Sequence, residues 1–146
     1  MKRKVVIEII SGLLAFLFAY AALSKLAGYA SFRIQLSQSP FITNYAGIIV
    51  WLLPLTELCI AGLFVFNFSR LLALYASLFL LSLFTAYLIA MLNFSYYIPC
   101  ACGGVLAGLS WRQHIILNAA CLLLSSLAIW FESKEKRGTQ ILKINQ

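Results

Sequence analysis

Charged side chains are scarce in this chain of 146 residues, which has 11 Lys and Arg, four Asp and Glu, and one His. Hydrophobic residues make up 63% of it, whereas soluble domains have an apolar fraction nearer one half. The mean hydropathy is +0.95. This composition excludes an ordinary soluble domain and indicates an integral membrane protein.

The long apolar runs lack the alternation of polar and apolar residues that is typical of membrane strands. Four of them are long enough for a helix to cross a hydrocarbon core of about 30 Å, which takes about 20 residues. They lie at about 5–26, 45–66, 70–91 and 114–131. The sequence therefore predicts an all-α integral membrane protein, a four-transmembrane-helix bundle over residues 1–131 followed by a polar tail, 132–146. The first run is too long for a cleavable signal peptide and is interpreted as a retained span.

The net charge of +7 is concentrated at the ends of the apolar runs. Basic residues precede the first run at 2–4, occupy the turn at Arg70 and recur in the tail. By the positive-inside rule these places are cytoplasmic, as are both termini. The loops 27–44 and 92–113 are then on the periplasmic or outer side. Topology accounts for the charge, so nucleic acid is not an expected partner, whereas the lipid bilayer is.

Two polar segments carry weaker structural signals. The 27–44 loop mixes apolar and polar residues, which favours a short amphipathic element along the outer interface, ending near Pro40 and covering the mouth of the bundle. The tail has mixed charge and no core-forming pattern, so we expect it to be loosely ordered. Pro54 is the one proline inside a predicted span and should kink it.

The 92–113 loop holds a C-x-C-G-G motif, in which Cys100 and Cys102 follow Pro99 and precede Gly103 and Gly104. Cysteines one residue apart are rarely needed for packing, which points to redox chemistry or metal binding. A disulfide between them requires the loop to bend, which the glycines permit, and such a strained bridge would exchange readily. Two inert loop cysteines remain the alternative.

A reactive thiol needs a nearby positive charge or a proton acceptor. Residues on the same predicted side of the membrane are Arg112, His114, Lys25 and Arg33. His114 is the natural proton acceptor because the ordinary pKa of histidine lies near neutrality. The alternative is a polar interfacial side chain without a chemical role.

Glu57 is the costliest residue to insert, since a carboxylate inside a span costs about 2.5 to 3.5 kcal/mol and is a functional candidate by default. Protonation, or pairing with Lys25 near the outer end of the first span, would reduce that cost. A structural pair between helices and a role in proton transfer are both open. Cys59 and Cys121 are interpreted as buried apolar cysteines inside spans.

Several motifs together resemble the DoxX-like and MauE group of small bacterial membrane proteins. They are Ala-Leu-Ser-Lys-Leu at 22–26, Leu-Pro-Leu-Thr-Glu-Leu at 53–58 and the C-x-C-G-G motif, in that order. The resemblance covers nearly all of the chain except the tail. It implies a redox-associated protein of the bacterial inner membrane, with Cys100 and Cys102 as the working pair. Lys25 and Glu57 match recurrent polar positions, and Gly103 replaces an aromatic residue.

Three functional hypotheses follow. The first is thiol-disulfide exchange through the C-x-C-G-G pair with a periplasmic thioredoxin-like or disulfide-containing protein, with a quinone as the cofactor that this chemistry would use. The second is a non-enzymatic subunit of a larger membrane complex. The third is a soft-metal carrier, because thiolates bind Cu(I), Zn or Hg(II). The third is disfavoured because the 67–70 turn and the tail have no acceptor cysteine.

Overall fold

The computed structural model describes residues 2–39, 41–66, 69–94 and 111–144, without the side chains of Lys2, Trp111 and 136–144. The elements run in the order α1 Lys2–Ala27, α2 Tyr29–Ser37, a 3₁₀ turn at Thr43–Tyr45, α3 Ala46–Val65, α4 Arg70–Phe94 and α5 Trp111–Ile144. No strand occurs in these ranges. The predicted all-α fold is therefore confirmed.

Within those ranges, four segments are long and apolar enough to cross a membrane: Arg3–Ala27, Thr43–Val65, Arg70–Phe94 and Arg112–Glu135. Helices form there because lipid offers the backbone no hydrogen-bond partners, so each N–H and C=O must be paired within the segment. Large apolar side chains cover the outside of the bundle, as at Phe16, Val65 and Phe79, which are 70%, 75% and 69% exposed. Such a surface suits lipid and not water.

The main core lies where α1, α3, α4 and α5 meet. Its buried residues are Ile10, Leu14, Phe18, Ile60, Phe64, Ala73, Leu74, Leu81, Cys121 and Ala128. Small side chains at the contacts are completely buried, among them Ala73, Ser77, Ser125 and Ala128. Small residues allow helix backbones to approach closely, which is the usual way that membrane helices gain packing energy.

The segment after α1 is a second helix, α2, which remains hydrogen-bonded to the end of α1. At Gly28 the helix is interrupted, yet the Gly28 N–H still donates to the Ser24 carbonyl at 3.0 Å and the Phe32 N–H donates to the Gly28 carbonyl at 2.9 Å. Phe32 and Leu36 of α2 are buried against α3. The expected helix in the 27–44 loop therefore exists, and its two buried apolar residues pack on α3.

The tail differs from expectation. Instead of being loosely ordered, it continues α5 as helix to Ile144. Local contacts explain the first turn beyond the span: the Lys134 ammonium lies 4.1 Å from the centre of the Trp130 ring, one helical turn earlier. The Lys4 ammonium also contacts the Glu135 carboxylate at 3.2 Å, which joins the start of α1 to α5.

The helices define two ends of the bundle. At the terminal end, α1 and α4 begin, α3 ends and α5 reaches Glu135. At the loop end lie α2, the 3₁₀ turn and the last turns of α4. The basic clusters belong to the terminal end, so the prediction that this end is cytoplasmic rests on the charge pattern.

Candidate functional site

Lys25 and Glu57 form an ion pair between α1 and α3. The Lys25 Nζ lies 2.8 Å from Glu57 Oε1 and 3.0 Å from Oε2. Both residues are 2% exposed. Of the two alternatives for Glu57 that the sequence left open, protonation and pairing with Lys25, the structure has the pair.

The hydrogen-bond donors of the Lys25 ammonium all have acceptors. The third ammonium proton of Lys25 points to the Ala21 carbonyl at 3.4 Å, and the Phe84 ring centre lies 5.8 Å from the ammonium. An ammonium group has three donors, and here each has an acceptor. This arrangement favours a structural pair that holds two helices over a group that takes up and releases protons.

The pair joins the last turn of α1 to the middle of α3. Glu57 is 11 residues after the start of α3, or about 16 Å along the helix. Lys25 is nearly the last residue of α1, but α2 continues beyond it beside α3, with the Tyr29 and Trp51 rings 5.1 Å apart. The expectation that Lys25 lies near the outer end of the first span is confirmed, since Lys25 lies in the last turn of α1 and the span ends at Ala27.

An apolar cavity of about 150 Å³ lies beside the pair, between α2, α3 and α4. Leu53 and Phe84 line it near the ion pair, and Leu36 and Tyr87 line it nearer the loop end. A dry cavity of about this size is large enough for one benzene-sized ring. The cavity escaped the sequence analysis, because it depends on how α2 packs and no local pattern records that packing.

A small polar cluster closes the loop end of this cavity. The Ser39 and Tyr87 hydroxyls lie 2.7 Å apart, and the Ser39 hydroxyl lies 3.8 Å from the Met91 sulfur. Thr43 donates to the Ser39 carbonyl. These bonds tie the chain after α2 to α4. No sequence motif singles out Ser39 or Tyr87, because the two are 48 residues apart.

Only some of the residues predicted to carry the chemistry in and after the 92–113 loop lie in the described part of the chain. Cys100, Cys102, Gly103 and Gly104 lie outside the described residues. His114 lies in the first turn of α5 and is buried, 4% exposed. His114 is therefore placed by helix packing and is not a solvated interfacial side chain.

The remaining residues singled out in the sequence do not join the Lys25–Glu57 pair. Arg112 and Arg33 are exposed on α5 and α2, and the structure does not bring either to the Lys25–Glu57 pair. Cys121 is buried, as expected, whereas Cys59 is exposed on the surface of α3, contrary to expectation, because its position faces away from the core. Among the described residues, no group of three His, Cys, Asp or Glu side chains is placed to hold a metal ion.

The order of these features along the chain matches a known family. The model of the family described as methylamine utilisation protein MauE matches residues 3–131. The chain belongs to the MauE family. The match covers the four spans and the C-x-C-G-G motif and ends where the polar tail begins. Among curated proteins and among solved structures, no match to the chain is found. This MauE family protein is thus a multi-pass membrane protein, and its site chemistry rests on its own residues.

Proposed function

We propose that this MauE family protein exchanges thiol and disulfide equivalents with a periplasmic partner through Cys100 and Cys102. The observation that carries the proposal is the C-x-C-G-G motif, which lies in the sequence between two spans of a chain of this family. The basic residues at the terminal end, read by the positive-inside rule, support a periplasmic position for that segment in a protein of the bacterial inner membrane. Disulfides persist in that compartment.

The exchange runs in two steps. A thiolate of the partner attacks the Cys100–Cys102 disulfide, so that one new S–S bond forms and the other sulfur leaves as a thiolate. The partner's second thiol then attacks this mixed disulfide, which leaves the partner oxidised and the C-x-C pair reduced. A bilayer quinone, when bound, would supply the acceptor for the two electrons and two protons that Cys100 and Cys102 release as their disulfide re-forms.

Two side chains at the start of α5, His114 and Arg112, are candidates to assist the exchange. α5 begins nine residues after Cys102, and His114 lies in its first turn. A neutral imidazole accepts a proton from a thiol, and the Arg112 guanidinium favours a thiolate. Arg112 is exposed, which leaves its charge available near an incoming partner.

The quinone ring is best accommodated by the apolar cavity between α2, α3 and α4. Its volume suits one ring, and Phe84 supplies an aromatic wall. Leu53→Trp fills this space, so quinone-dependent reoxidation of the pair should fall. Leu52→Trp is the matched control, since Leu52 is exposed on the same helix and does not line the cavity. Equal reoxidation in both variants would reject this location.

The test of the exchange uses cells that carry Cys59→Ala and Cys121→Ala, so that only the C-x-C thiols remain. Free thiols are trapped with a mass-shifting alkylating reagent before and after mild reduction. A reversible change by two labels supports exchange, and Cys102→Ser should accumulate a mixed disulfide whose mass identifies the partner. Unchanged thiols, with protection only when Zn or Cu(I) is added, would instead support a soft-metal carrier.

A non-enzymatic subunit of a larger membrane complex is the second candidate. The satisfied Lys25–Glu57 pair favours it, because a closed pair holds helices together without chemistry. This hypothesis predicts that Cys100→Ser together with Cys102→Ser leaves the protein's cellular function intact. Loss of function with either single substitution would contradict it and favour exchange.

A further inference from the structure

A second cavity, separate from the site described above, lies at the terminal end of the bundle between α1, α3 and the start of α4. Its volume is about 350 Å³, within the range of ligand pockets in general. Its polar lining comes from Glu8 and Ser11 on α1 and from Arg70 at the start of α4. Ala15, Phe64 and Val65 supply apolar walls. The cavity therefore combines a carboxylate, a guanidinium and a hydroxyl beside an apolar surface.

Ser11 lines this cavity and has a hydroxyl without a hydrogen-bond partner among the described residues. Ser11 is 5% exposed. Serine and threonine inside helices usually donate to the carbonyl four residues earlier. Among the described residues five do so: Ser77, Ser82, Thr85, Ser126 and Ser133. Ser125 is also buried without a partner, but of the two unpartnered serines only Ser11 lines this cavity. A buried hydroxyl without a partner costs free energy, which a bound polar group would recover.

The charges of Glu8 and Arg70 indicate which polar group would bind in this cavity. Glu8 is exposed and forms no ion pair with any described residue, and Arg70 supplies a guanidinium, which suits phosphate oxygens. Arg70 is also the first residue of α4, where the helix dipole favours an anion. A ligand with a phosphate and an ammonium matches both charges, and acyl chains match the apolar walls.

We infer that this cavity binds the headgroup of a zwitterionic phospholipid, phosphatidylethanolamine. The phosphate contacts Arg70 and Ser11, and the ammonium contacts Glu8. An anionic lipid such as phosphatidylglycerol has no cation for Glu8 and binds more weakly. The inference concerns the terminal end and does not depend on thiol exchange at the other end.

Gly12 gives the sharpest test, because it lines the cavity and a Cβ built there has nothing within 4 Å. Gly12→Leu fills the cavity without removing a charge and raises helix propensity. Gly62→Leu is the matched control, since Gly62 is equally open but does not line the cavity. Delipidated protein is mixed with equal amounts of phosphatidylethanolamine and phosphatidylglycerol, and retained lipid is measured by native mass spectrometry.

Wild-type protein and Gly62→Leu should retain phosphatidylethanolamine preferentially, and Gly12→Leu should lose it. Arg70→Gln should lower retention about tenfold, as expected for one charge-assisted hydrogen bond, whereas Arg33→Gln should not. Glu8→Gln should remove the preference over phosphatidylglycerol. Equal retention of both lipids by wild type, or unchanged retention in Gly12→Leu, would overturn the inference.

Competition with soluble compounds distinguishes a lipid site from a site for free phosphoesters. Glycerophosphoethanolamine has the same headgroup but no acyl chains, and inorganic phosphate has neither. Because the walls are apolar, neither should displace the bound lipid at concentrations equal to it. Displacement by either compound at those concentrations would reject a lipid site in favour of a soluble phosphoester or phosphate site.

Discussion

The buried Lys25–Glu57 pair allows a quantitative test of what holds α1 against α3. Removing one partner leaves an uncompensated charge in a low-dielectric interior, which costs about 3 to 5 kcal/mol. Replacing both partners with apolar residues of similar size is often neutral or stabilising by about 1 to 4 kcal/mol. The single variants Lys25→Met and Glu57→Leu should therefore each be less stable than the double variant.

The expected coupling follows from those costs. If each single substitution lowers the free energy of unfolding by about 3 kcal/mol and the double variant is near wild type, the coupling energy is several kcal/mol. The unfolded chain in a membrane retains partners for its polar groups, which reduces the measured value. We therefore expect a coupling of at least about 2 kcal/mol, or about 30-fold in the unfolding equilibrium.

The assay is reversible unfolding in mixed micelles, followed by circular dichroism as the SDS fraction rises. The Lys4–Glu135 pair is the matched control, because its side chains are 70% and 34% exposed. Its own cycle, Lys4→Met with Glu135→Leu, should give less than about 1 kcal/mol. Additive losses for Lys25→Met and Glu57→Leu, with no recovery in the double variant, would refute the argument that the pair acts as a unit.

Three further predictions concern the loop end and the topology. Gly28→Ala should fold normally, because its Cβ would lie 3.4 Å from the Ser24 carbonyl, whereas Gly28→Pro removes an N–H donor and should cost about 3 kcal/mol in the same unfolding titration. Tyr87→Phe loses the bond to Ser39 and should lower stability by about 1 kcal/mol, with no loss in Tyr75→Phe, since Tyr75 is exposed on the same helix. A membrane-impermeant maleimide added to intact cells should not label Lys134→Cys in a chain without its natural cysteines, and labelling there would contradict a cytoplasmic terminal end.

The fold was largely predictable from the sequence because lipid imposes a simple rule. Twenty apolar residues in a row, without alternation, have few alternatives to a spanning helix. The ends were less predictable. The first turn of α5 beyond the span is supported by the packing of Lys134 on Trp130 one turn earlier, and such a local contact does not register in average hydropathy.

The candidate site was predictable in part for a related reason. A carboxylate inside a span demands a partner, and Lys25 was the basic residue near a span end that could reach it, so the pair followed from cost alone. The position of Glu57 near the middle of α3 did not follow, since it depends on the residue at which α3 begins. Nor did the two cavities, which are spaces between helices and depend on side chains from three elements at once.

These contacts connect the ion pair to the C-x-C-G-G segment. The pair fixes how far α1 slides along α3, and α2 continues from α1 with Phe32 and Leu36 packed on α3. That register places Ser39 within 2.7 Å of Tyr87, near the end of α4. The segment with Cys100 and Cys102 starts where α4 ends. A shift between α1 and α3 would therefore change the anchoring of α4 at the loop end, so we propose that Lys25 and Glu57 are positioning residues for the proposed thiol exchange. Lys25→Met should therefore slow thiol exchange only to the extent that it weakens the pairing of α1 with α3. The double variant with Glu57→Leu should restore the stability and the exchange rate together.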